Sequence, residues 1–194
     1  MINEPTPDYI LSRLPDFDAT PRYSDADRAV GLVFSQWPTN RLIEEVLTKV
    51  VTLNTLYSTN IYGVYDVARH IVELNIDGRL TNGDQSLVDD IANVAIGRRT
   101  RQVLSFASKY CSWHRPECYQ IYDSFVDKLL WVYQREFAFA TFKRVELRTY
   151  SRFIQIVDAL VDHFGLQVFS RKDLDKFLWL EGRAISRSSV RRPR

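Results

Sequence analysis

The chain has 194 residues, 45% of them hydrophobic and 13% aromatic, with a formal net charge of +2. This is enough apolar content for one or two cores, yet no apolar run approaches the roughly twenty residues of a membrane span, which excludes a transmembrane helix. Cys111 and Cys118 are the only cysteines and no charged start leads into an apolar run, so neither a disulfide framework nor a secretory signal is expected and the protein reads as cytoplasmic.

Charge is unevenly placed. Arg183, Arg187, Arg191, Arg192 and Arg194 crowd the C-terminus with no acid among them, leaving the remainder mildly acidic. A basic footprint for nucleic acid must then be local. Arg98-Arg99-Thr100-Arg101 is one candidate, and the stretch from Arg135 to Arg152 is another. For each, the plain alternative is a solvated face.

In chain order, residues 1–38 hold Pro5, Pro7, Pro15, Pro21 and Pro38 and predict an irregular arm, with one docked turn at Tyr9, Ile10, Leu11 and Leu14. A helical domain is expected over residues 39–182. Asn40 reads as the cap of a helix lined by Val46, Leu47, Val50 and Leu53, and a second helix follows through Ile61, Val64, Ala68 and Ile71. Turn residues fill Asn75 to Gly83. Asp84 then caps a third helix closed by Gly97, and Thr100 opens the helix that carries Lys109. That helix stops before Arg115-Pro116, because the residue preceding proline is disfavoured in the α region.

Asp123 is a good N-cap for the next helix, with Phe125, Val126, Leu129, Leu130 and Tyr133 forming its apolar face. The segment Phe137 to Phe142 reads as buried helix or connector. A long helix through Leu147, Phe153, Val157 and Leu160 stops at Gly165, and Ser170 with Asp173 forms a capping box for the last helix. Residues 183–194 read as a basic, disordered tail. The predicted class is all-α.

The order of helix, proline loop, capping Asp123 and helix resembles that of the helix-hairpin-helix DNA glycosylases, particularly their eight-oxoguanine branch and its small bacterial members. Arg115 to Asp123 fits the loop, and Asn40 to Ile71 is similar to the paired N-terminal helices of that fold. The resemblance implies DNA, a lesion-bearing duplex, as partner and excision of an extruded damaged base by a glycosylase or lyase. It further implies Asp123 as the electrostatic or acid/base carboxylate and Lys109 as an amine nucleophile. Tyr110, Trp113, His114, Tyr122, Asn54 and Tyr57 would line the base pocket, and Arg98, Arg99 and Arg101 would hold phosphates where the family uses glycine-rich amides.

Each residue also has a plainer reading. Lysines are mostly exposed, Asp123 is explained by capping alone, His114 suits a helix C-terminus, and Asn54 to Asn60 fits an inter-helix turn. Cys111, His114 and Cys118 leave only His70 and His163 to complete four ligands, so no metal and no cofactor is expected. The competing function is a non-catalytic binding or accessory protein, of the kind encoded in bacterial defence or stress operons, that keeps the fold without the chemistry.

Overall fold

A computed structural model describes residues 2–190, with side chains through residue 187. The chain is mostly helical, and it divides into two compact units, residues 21–121 and residues 1–20 with 122–194.

The first unit contains α2 (Pro21–Gln36), α3 (Ile43–Leu56), α4 (Val64–Glu73), α5 (Asp77–Thr81), α6 (Ser86–Ala92), the hairpin β1 (Asn93–Ile96) and β2 (Arg99–Gln102), and α7 (Leu104–His114). Its core is built from Val30 and Phe34 of α2, Val46, Val50 and Leu53 of α3, Val67 and Ile71 of α4, and Phe106 and Tyr110 of α7. The apolar residues of α3 and α4 recur at the three- and four-residue spacing that gives a helix one buried stripe.

The second unit contains α1 (Pro7–Asp18), α8 (Ser124–Phe137), a 3₁₀ turn (Arg144–Arg148), α9 (Tyr150–Phe164) and α10 (Arg171–Val190). Here α8 and α10 pack at close range. A Cβ on Gly182 would lie 2.4 Å from the Phe125 carbonyl oxygen, so only glycine lets the backbones approach this far. Arg13 of α1 donates to Glu181 of α10 at 2.8 Å. The cap at Asp123, the stop at Gly165 with φ +67°, and the Ser170–Asp173 capping box all occur as expected. Phe137 to Phe142 is the end of α8 followed by a connector.

Five expectations are corrected. The arm over residues 1–38 is helical, because Pro7 and Pro21 stand at first helical positions, where proline's missing N–H is no loss. Pro15 lies inside α1. The turn region near Gly83 includes the short α5, and α3 begins after Leu42 and not at Asn40. Gly97 does not close a helix: it opens a two-residue turn at φ +61°, with Ile96 paired to Arg99 across it. Finally, Arg183 and Arg187 belong to α10, while Arg191, Arg192 and Arg194 lie outside the described residues.

Candidate functional site

The first unit holds a buried polar cluster centred on Asn40. Its side-chain nitrogen donates to Asp77 Oδ1 at 2.8 Å and its backbone N–H donates to the same carboxylate, which leaves the Asn40 amide oxygen facing inward as an acceptor. Lys49 Nζ reaches that oxygen at 2.7 Å, the Tyr110 hydroxyl at 2.6 Å and His114 Nε2 at 3.1 Å. Lys49 is fully buried; its two other protons go to the backbone carbonyls of Trp37 at 3.1 Å and Thr39 at 2.7 Å. An ammonium so saturated ties the chain just past the end of α2 to α3 and is no free nucleophile.

Burial sets the ionisation of the cluster. It lowers the Lys49 pKa to about 8, against the opposing attraction of Asp77 and Glu45. It also lowers the His114 pKa to about 3, assisted by the Lys49 charge, so the imidazole is neutral near pH 7. The Tyr110 hydroxyl is pushed well above its usual range, again by burial first.

The structure gathers part of the expected base pocket. Tyr110, Trp113 and His114 surround Phe34, with ring centroids 5.3, 6.2 and 4.9 Å from it, and Tyr57 meets Trp113 edge-on at 6.2 Å. Tyr110 is entirely buried and its hydroxyl is bonded, which makes it a core residue. Tyr57 donates its hydroxyl proton to Asp27. Asn54 holds the α3–α4 turn: its Oδ1 accepts from the Thr59 hydroxyl at 2.8 Å and from Ile61 N–H at 2.9 Å, while Nδ2 donates to the Ile61 carbonyl at 3.0 Å.

Lys109 is 3% exposed, and its Nζ donates to Ser105 Oγ one turn earlier at 2.7 Å. Asp123 and Tyr122 belong to the second unit. There, Asp123 Oδ1 accepts from Phe125 N–H at 2.8 Å, and the Tyr122 hydroxyl donates to Asp127, which Arg144 also binds at 2.7 Å.

Arg98, Arg99 and Arg101 are all exposed on the β1–β2 hairpin. None of the three has an ion-pair partner among the described residues, whereas Arg13, Arg28, Arg41, Arg69, Arg79, Arg115, Arg144, Arg152 and Arg171 are paired. No acid stands between Asp90 and Glu117 in the sequence, so this hairpin is the centre of a continuous basic segment. Its base is anchored: Ile96 packs against Gly63, where a Cβ would come within 2.4 Å, and Gly97 N–H approaches Asp66 Oδ2 at 3.4 Å.

Sequence reasoning missed the Asn40 cluster. A usable signal existed, because Lys49 falls three residues after Val46 and four before Leu53, on the apolar stripe of α3. Asp77 gave no such signal.

The fold and site thus define a mostly helical protein with a buried lysine–asparagine–histidine cluster and an exposed arginine hairpin. Residues 9–118 match the N-terminal domain of the HI_0787_N family, and the chain belongs to that family. A protein of Haemophilus influenzae described as uncharacterized is 40% identical over 144 residues, covering 74% of this chain and 69% of the relative. No solved structure matches. Among the described residues no helix is long and apolar enough to cross a membrane.

Proposed function

We propose that this protein binds nucleic acid without covalent chemistry of its own, gripping phosphates with Arg98, Arg99 and Arg101. The carrying observation is the hairpin: three exposed guanidiniums, no ion-pair partners among the described residues, and no acid in the sequence between Asp90 and Glu117. Arginine forks match phosphate oxygens, and each contact releases condensed counterions. The buried amine and imidazole of this unit are engaged internally, Lys49 by three acceptors and His114 by Asn40. The test is binding of a labelled duplex and a labelled single strand across a salt series. Replacing the three arginines with glutamine should remove about 2–3 from the slope of log K against log salt, near 0.7–0.9 per phosphate contact. An unchanged slope would refute the assignment.

Base excision is the second reading, favoured by Asp123 capping α8 directly after the proline loop. Borohydride trapping on an abasic oligonucleotide, with Lys109→Gln as control, decides it: an adduct lost in that variant establishes the amine, and no adduct in the folded wild type removes the reading.

A further inference from the structure

Tyr62 is 98% exposed, yet the backbone on both sides of it is fixed. Ile61 is buried and its N–H and C=O are both bonded to the Asn54 side chain, at 2.9 and 3.0 Å. Gly63, on the other side, presses against Ile96 of the hairpin. The phenol ring is therefore held out from a rigid turn and is not part of a loose loop. Tyr65, 58% exposed, follows at the start of α4.

The hairpin register places the arginines on the same side. Directly opposed residues of an antiparallel pair share one face, and Arg99 pairs with Ile96 while Arg101 pairs with Val94. Val94 is buried and Ile96 packs on Gly63, so Arg99 and Arg101 belong to the face turned toward the Tyr62 turn. The hairpin face that carries Arg99 and Arg101 thus packs on the turn that presents the exposed ring of Tyr62. A single exposed tyrosine is ordinary. Here the ring stands on a fixed backbone beside an arginine face that has no ion-pair partner among the described residues.

We infer that this face takes single-stranded rather than duplex nucleic acid, with phosphates on Arg99 and Arg101 and an unpaired base stacked on Tyr62; the inference rests on the nucleic-acid reading above. Bases inside a duplex already stack on one another and offer no open face to a side chain, whereas every unpaired base does. Such stacking tolerates any sequence, so recognition is by strandedness and not by base identity. Asn54 is a positioning residue in this scheme, acting through Ile61.

The experiment is fluorescence anisotropy with labelled oligothymidine and with a duplex of equal length, over a salt series. It uses the full chain, Tyr62→Ala, Tyr62→Phe and the triple arginine-to-glutamine variant. Wild type should bind oligothymidine more tightly than duplex. Tyr62→Ala should weaken oligothymidine binding about 5-fold or more, the size of one lost stacking contact, and leave duplex binding unchanged. Tyr62→Phe should retain it. Because the ring contributes nothing to the core, circular dichroism and melting should match wild type for both variants. Duplex binding equal to or tighter than single-strand binding, or indifference to Tyr62→Ala while the arginine dependence persists, overturns single-strand selection and leaves the nucleic-acid reading standing. Absence of arginine-dependent binding to either probe overturns both.

Discussion

Replacing Asn40 with alanine is expected to destabilise the protein by about 3–5 kcal/mol. The substitution removes the acceptor shared by Lys49, Tyr110 and His114 together with a donor to Asp77. The Tyr110 hydroxyl loses its partner in a fully buried setting, and the buried ammonium keeps only its two carbonyls. Each orphaned buried group costs about 1–3 kcal/mol, more where the group is charged, and two such groups give the stated range. That is a large share of the roughly 5–15 kcal/mol that holds a domain together. Urea denaturation followed by tryptophan fluorescence measures it. In a double-mutant cycle, Tyr110→Phe should relieve part of the cost, so the double variant should be less damaged than the two single losses imply. A loss below about 1 kcal/mol, or strict additivity, would refute the view that Asn40 organises the cluster.

Gly182→Ala should lower stability by about 1–3 kcal/mol despite better helix propensity, since the new methyl meets the Phe125 carbonyl at 2.4 Å and backbone cannot yield; Gly78→Ala, with nothing within 4 Å, should be neutral or gain up to about 1 kcal/mol in the same urea titration. The pH profile has a defined sign: His114 binds its proton at about 3 when folded and near 6.5 when unfolded, so stability present above about pH 6.5 is lost as pH falls toward 3, on the order of 5 kcal/mol, and His114→Gln should flatten this limb. The same reasoning for Lys49, lowered from 10.5 to about 8, predicts stability rising between those values, a rise that Lys49→Met should abolish. Asp123→Ala should cost about 1 kcal/mol through the lost cap of α8, while Asp123→Asn should keep most of it, as read by thermal melting.

The elements that could be read from residues alone are those whose signals are local. Asp123, Gly165 and the Ser170–Asp173 pair each act on backbone groups within a turn, and each performs its expected role. The prolines misled because the same residue breaks a helix from inside and starts one at its first position, and only the neighbouring cap separates the cases; Thr6, whose hydroxyl accepts from Tyr9 N–H at 3.3 Å, was that cue for α1. The hairpin was hidden because β2 reads Arg-Thr-Arg-Gln and is exposed throughout, so no alternation marks it, and Gly97 resembles a helix stop. The polar cluster depends on contacts such as Asn40 with Tyr110, seventy positions apart, which no local pattern encodes.

The chain enters its second unit, leaves for about a hundred residues, and returns to finish it. During ribosomal synthesis the stretch from Pro21 to Ile121 emerges whole and is free to condense at once, whereas α1 must wait for Glu181, made 168 positions after Arg13. The entropy of closing so long a loop grows only slowly with length, so the delay is one of timing more than of equilibrium. A nascent chain arrested before α10 should therefore carry a structured middle and a protease-sensitive leading helix, a pattern that limited proteolysis of stalled ribosome complexes would reveal.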